Sequence, residues 1–416
     1  MQKRRTRLFA ALAAAAISVL ASSSAMALTD KGYRALHNFS KVLHYIEENY
    51  VTEVNEEELI QGAVRGMVET LDPHSVYMSP EINKELKVDT SGRFDGVGIE
   101  VAVRGGMLIV VSPIKGSPAD EAGIETGDRI IRINGESTKG MNLGEAVTKM
   151  RGRRGSRVTL TLAREGVKTP VEVSVTRQII NVPSVHAEEL GDGLLYVSIS
   201  SFQTGTTRAL EKALKDFSKK EPVRGLILDL RKNPGGLLDQ AVSMSDLFIA
   251  DGVIVTTESR GQEIDRRVAH TENTQPDYPI IVMVDAGSAS AAEIVAAALQ
   301  ENARAKLLGT KSFGKGSVQT VIDLEDGSGL KLTIAYYKTP KGRIIQDAGV
   351  IPDIEVSAKS PEETSAEKTL PEDVEDDQEA SEVKGKPAEK KKPGPKVDYQ
   401  KQRAIEELKK TVIRDS

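Results

Sequence analysis

Ser290 and Lys315, 25 residues apart, are the residue types here that could do covalent chemistry together. Lys315 lies between two glycines in "SFGKGSVQ" (312–319), and residues 309–315 read G-T-K-S-F-G-K, close to a phosphate-binding loop. Such a loop needs Ser or Thr directly after its lysine, then a helix whose N-terminus faces the phosphates. Gly316 follows Lys315, and "SVQTVIDL" after it reads as a strand, so phosphate binding is set aside. Two roles remain for the lysine, a solvated loop cation or a proton acceptor.

The serine has a more telling setting. "VDAGSASAAEIVAAALQEN" (284–302) runs from strand through a tight turn into a helix apolar nearly all round, which predicts a buried helix. Ser290 at its first turn would hold its hydroxyl near free backbone N–H groups and the positive helix end. Ser288 or Ser290 acting only as an N-cap is the plain alternative. A serine hydroxyl needs a base to become a nucleophile. His37, His44 and His74 precede the predicted core, His186 lies at its boundary, and His270 sits in the polar stretch "RRVAHTENTQ". None has a setting that aims it at Ser290. A lysine can serve instead, because burial disfavours its charged form and lowers its pKa. Phe313 and the flanking glycines suit a loop pressed on an apolar wall that keeps Lys315 dry, and Gln319 could orient the amine. An oxyanion needs donors as well. The Ala291 N–H is one candidate, and "RKNPGG" (231–236) offers Gly235 or Gly236 at the end of a buried strand.

Elements of three kinds must position these residues. Residues 30–71 predict amphipathic helices, with Leu36, Phe39, Val42, Leu43 and Ile46 at 3/4 spacing and Asn55 as an N-cap. These helices either pack on the body or pair with a second copy of the chain. Residues 94–178 predict a compact β-rich unit. Residues 186–356 alternate continuous apolar strands with helices, an α/β layered core. Beyond it, an acid-dense run followed by a Lys/Pro-rich one (357–397) predicts a disordered linker, and 398–416 a short helix.

Composition narrows the field. The 416 residues include no cysteine, which excludes disulfides, thiolate nucleophiles and Cys-ligated metals. The start "MQKRRTR", the apolar run Leu8–Leu20 and the Ala25-Met26-Ala27 ending read as a signal peptide over 1–27, with export to a bacterial periplasm and a mature chain from Leu28. Membrane association through an uncleaved anchor is the alternative. Cleavage removes four cations and takes the formal charge from −5 to −9, which argues against nucleic acid as a partner.

"GSPADEAGIETGDRIIRINGE" and the helix near Glu145–Met150 resemble a PDZ domain. The resemblance places Gly96, Val97, Gly98 and Ile99 at the site that takes a substrate's C-terminal segment as an added strand. "LDLRKNPGGLLDQAV", "GSASAAEIVAAALQENARAKLLGTKSFGKGSVQT" and "KTPKGRIIQDAGVIPDI" together resemble the carboxyl-terminal processing (tail-specific) proteases over about residues 35–356. That resemblance implies a ClpP/crotonase-like layered protease core (179–356) carrying an inserted PDZ domain (94–178) behind an N-terminal helical region (28–90). It implies a Ser290–Lys315 dyad supported by Gln319, and oxyanion donors at Ala291 and at Gly236 with Gly235 beside it. It implies no metal or other cofactor, and unfolded or tailed protein substrates with apolar C-termini. Arg151, at the end of the PDZ helix, is the candidate for gating the active site in response to a bound tail, with a solvated helix-end cation as the alternative. A homodimer and an adaptor or activator protein are compatible with this reading. The competing readings are a non-catalytic PDZ adaptor and an acyl-CoA enzyme of the crotonase type.

Overall fold

The computed structural model describes residues 29–358 and 398–414. The expected leader and all but two residues of the expected linker lie outside them. The chain divides into two compact units, Met1–Tyr77 and Met78–Ser416.

In the first unit, α1 (Asp30–Asn49) starts at Thr29, whose hydroxyl accepts the Gly32 N–H at 3.2 Å. α2 (Glu56–Glu69) starts at Asn55, whose Oδ1 accepts the Glu57 N–H at 3.0 Å. Three acids in its first turn complement the helix dipole. No residue of α1 is buried, and Leu36, Phe39 and Val42 of its apolar stripe are exposed.

The second unit opens with α3 (Pro80–Ser91), capped by the Ser79 hydroxyl with Pro80 at its first position. A two-stranded ribbon, Arg93–Gly96 antiparallel to Gln178–Asn181, brackets the β-rich unit. Inside it, strands Ile99–Arg104, Met107–Pro113, Arg129–Ile133, Arg157–Ala163 and Val171–Thr176 form one antiparallel sheet in that order. The short helix α4 (Pro118–Glu121) and α5 (Leu143–Met150) accompany this sheet, and Leu108, Val110, Ile130, Ile133, Val158, Leu160 and Leu162 close over Ala146 and Met150 of α5.

The layered core is a six-stranded sheet in the order Val185–Gly191, Leu194–Ile199, Gly225–Asp229, Ile280–Val284, Lys306–Gly309, Ile354–Glu355. The first pair is antiparallel and the other four pairs are parallel. Alternation along each strand divides its side chains between two faces. Leu226, Leu228, Val282 and Val284 face α6 (Thr206–Ser218), α7 (Leu238–Asp246) and α8 (Ala291–Glu301). Ile227, Ile281 and Met283 face α9 (Tyr399–Arg414), which buries Ala404 and Leu408 on them. The expected C-terminal helix therefore covers the back of the sheet. Its start is fastened by Arg231, whose guanidinium donates to Asp229 and Asp398 at 2.6 Å each and to Gln400 at 3.0 Å. A second, antiparallel sheet contains Ser317–Asp323, Gly329–Lys338, Val253–Ser259 and Gln262–Val268.

Candidate active site

Three neighbouring parallel strands each end in a loop that carries candidate residues. Gly225–Asp229 leads into 230–236, Ile280–Val284 into 285–290, and Lys306–Gly309 into 310–316. Parallel strands point their carboxyl ends the same way, so these loops converge on one edge of the sheet. Hydrogen bonds then join the first two. Ser288 Oγ donates to Leu230 O at 2.7 Å, the Lys232 N–H donates to Asp285 Oδ1 at 2.8 Å, and the Ala289 N–H donates to Asn233 O at 2.9 Å. The Ser288 hydroxyl is fully buried in that seam, which leaves Ser290 as the serine free to meet a substrate.

Ser290 precedes α8, whose residues from Ala291 to Leu299 are all buried, as expected from sequence. Its backbone is at φ +54°, ψ −114°. A residue with a Cβ reaches this region only at a cost of about 1–3 kcal/mol, so its surroundings must hold it there. One such contact is the Ser290 N–H donating to Glu293 Oε2 at 2.8 Å.

Gly235 lies directly against the serine, and Gly236 beside it packs on Phe202. A Cβ on Gly235 would come within 2.8 Å of Ser290 Cβ and 3.0 Å of Ala291 N, and one on Gly236 would come within 2.2 Å of Phe202 O. Both have positive φ, +99° and +140°. Close approach and backbone geometry together require glycine at these two positions. The Gly235 N–H is committed to Asn233 Oδ1 at 2.8 Å. Among the described residues, the N–H groups of Ala291 and Gly236 donate to nothing. Asn233, fully buried and also donating from Nδ2 to Ile199 O at 2.8 Å, sets the shape of this turn.

Lys315 is half-buried, and burial pushes its amine below the ordinary lysine value, with a smaller push from the like charge of Lys331. The expected drying agent is corrected. Phe313 is 61% exposed and provides no apolar wall. The neighbouring glycines serve instead for close packing on segment 345–349. A Cβ on Gly316 would meet Gln346 N at 2.3 Å, and one on Gly314 would meet Gly349 N at 3.1 Å. The residues on either side of Lys315 are thus packed backbone against backbone.

Gln319 lies on the Ser317–Asp323 strand, at a bulge, opposite Thr333. His270 is 67% exposed and faces Asp246 with its ring Nδ1 at 3.3 Å. Gly96, Val97, Gly98 and Ile99 line a cavity of ≈ 170 Å³ with Leu143, Val147 and Met150 of α5. Arg151 stands at its rim, 5.1 Å above the Phe94 ring and 3.1 Å from Glu85 of α3. The sequence reading does not single out Glu293 and Asn233. Ser-x-x-Glu at a helix start is the signal that finds the first, because a glutamate at the third helical position reaches back to the cap N–H. Nothing local marks the second.

Comparison with known proteins identifies relatives of this chain. Residues 193–356 match peptidase family S41, residues 109–164 match a PDZ domain, and residues 9–82 match the N-terminal domain of the activating protease CtpB. The chain is 43% identical over 352 residues to the carboxy-terminal-processing protease of Bartonella bacilliformis, covering 84% of this chain and 81% of that one. It is 38% identical over 363 residues to the carboxy-terminal processing protease CtpA of Bacillus subtilis, covering 85% and 77%. Among solved structures, the photosystem II D1 C-terminal processing protease is 30% identical with a TM-score of 0.46, covering 77% of this chain and 92% of that one.

The backbone at Ser290 makes a direct prediction. Ser290→Ala and Ser290→Gly both lack the hydroxyl, and only alanine keeps the strained Cβ. Relief of about 1–3 kcal/mol exceeds the extra chain entropy of glycine, about 0.5–1 kcal/mol. Urea unfolding is expected to find Ser290→Gly the more stable by about 1 kcal/mol. Equal stability, or alanine ahead, contradicts the strain.

Proposed function

This chain belongs to peptidase family S41, the carboxy-terminal processing proteases, and within it we propose that Ser290 is the nucleophile and Lys315 its base. The observation that carries the assignment is a strained Ser290 followed by the uncommitted Ala291 N–H and packed on Gly235, whose neighbour Gly236 holds a second uncommitted N–H. Neutral Lys315 takes the proton from Ser290 Oγ as the oxygen attacks a peptide carbonyl. The carbonyl oxygen becomes an oxyanion and accepts hydrogen bonds from those two N–H groups. Each donor of this kind is worth roughly 3–4 kcal/mol of barrier. The tetrahedral species collapses, the C–N bond breaks, and the Lys315 ammonium gives its proton to the departing amine. Water, deprotonated by Lys315, then attacks the acyl carbon, and the Lys315 ammonium returns the proton to Ser290 Oγ as the ester C–O bond breaks. Gln319 orients the amine.

The PDZ cleft is where a substrate tail would enter. Its apolar lining by Val97, Ile99, Leu143, Val147 and Met150 suits a C-terminus ending in apolar side chains. The proposed substrates are accordingly unfolded or tailed proteins with such ends. Arg151 is proposed to report tail occupancy, since it touches the cleft through Phe94 and α3 through Glu85. The N-terminal pattern supports export to the periplasm, which requires a mature N-terminus at Leu28 by sequencing. The apolar side chains exposed on α1 suit a second copy of the chain or an adaptor.

Two measurements test the assignment. A base works in its neutral form, so kcat/KM rises with pH through the Lys315 pKa, and that limb should lie below the ordinary lysine value of 10.5. Lys331 repels the ammonium, so Lys331→Gln should raise the pKa and move the limb to higher pH. A limb that stays put or moves to lower pH contradicts the assignment of the base. For the gate, Arg151→Ala should abolish the preference for a free over an amidated C-terminus. A preference kept at its wild-type ratio rules the gate out.

A further inference from the structure

That reading leaves a buried charged group next to Ser290 without a role. Glu293 is the third residue of α8 and its side chain is completely buried. Its Oε1 accepts the Ser312 hydroxyl at 2.6 Å and the Gly314 N–H at 2.7 Å. Its Oε2 accepts the Ser290 N–H and the Lys315 N–H, both at 2.8 Å. A carboxylate is an acceptor-only group, and four donors saturate it. The N-terminal end of α8 adds a favourable field. Burying a charge without a cation beside it is costly unless hydrogen bonds replace the lost water, and four of them do so here.

The distribution of these bonds is the informative part. Capping its own helix takes one bond, to Ser290. The other three go to residues 19, 21 and 22 positions away, in the loop that carries the base. On the far side, the Ser312 hydroxyl accepts the Val350 N–H at 2.7 Å, so the loop is anchored beyond the carboxylate too. We propose that Glu293 is a positioning residue for peptide cleavage, a single carboxylate that fixes the backbones of nucleophile and base in one frame. The inference rests on the Ser290–Lys315 assignment. Because Oε2 holds both N–H groups, a shift of either residue is felt by the other. Misplacement by about 1 Å can cost about 100-fold in rate.

Glu293→Gln sets an NH₂ group against two donors and should part the two backbones. The assay uses the full chain and a short fluorogenic peptide, with kcat and KM measured separately at a temperature where circular dichroism shows the variant folded. Affinity of the PDZ domain for an apolar-tailed peptide serves as a control. The expected result is a fall in kcat of about 30-fold or more, with KM and tail affinity within about threefold of wild type. Ser312→Ala removes one of the four donors and should lower kcat about 3–10-fold at unchanged KM. A purely structural role would lower the melting temperature and leave kcat per folded molecule unchanged. Folded Glu293→Gln with kcat within about twofold of wild type overturns the inference. If that variant does not fold, Ser312→Ala decides, and a wild-type kcat there overturns it equally. Ser290→Ala and Lys315→Ala run beside them separate the two claims. Should either cleave at the wild-type rate, the dyad itself fails and takes this inference with it. Should both be inactive while Glu293→Gln is fully active, only the inference fails.

Discussion

The backbone of Ser290 rests where a side chain is unwelcome, and much of the surrounding structure keeps it there. Its N–H is held by Glu293, the preceding Ala289 N–H by Asn233, and the Ser288 hydroxyl by Leu230. Strain of about 1–3 kcal/mol is of the same order as the net worth of these bonds, about 1 kcal/mol each. The constraint turns the serine out of the helix it introduces and leaves the Ala291 N–H without an acceptor. It also explains the glycine turn, since any side chain at Gly235 would strike Ser290 Cβ and the Ala291 N–H.

The sheet makes this local arrangement work at long range. Residues 236, 290 and 315 are distant in sequence, but their loops leave the carboxyl ends of three adjacent parallel strands. Side chains alternate across those strands between α6–α8 on one face and α9 on the other, so the strands are fixed from both sides. Arg231 connects the two ends of this scheme. It opens the loop that carries Gly236, and it holds Asp398 at the start of α9. The covering of the back of the sheet and the shape of the turn beside the serine therefore share a residue.

Much of this was legible in sequence for a physical reason. Continuous apolar strands, a nearly all-apolar helix after a serine turn, and paired glycines after a buried strand are local patterns, and each appears where expected. Asn55 caps α2, and α8 is buried from Ala291 to Leu299. What sequence could not supply was contact between segments. Phe313 and the glycines around Lys315 suited a loop pressed on an apolar wall; the structure exposes Phe313 and packs Gly314 and Gly316 on 345–349. Glu293 was not singled out, because three of its four partners lie in a loop that only the fold brings near. Gly235 and Gly236 were equivalent as letters, and the bond from Gly235 to Asn233 is what separates them.

Ser290 and Lys315 are proposed to cleave peptide bonds together. The most direct measurement is digestion of an unfolded protein with an apolar C-terminus by the mature wild type, Ser290→Ala and Lys315→Ala, all shown to be folded. Cleavage by the wild type alone is the predicted result. Cleavage that persists in Lys315→Ala would contradict the proposed dyad and require another base.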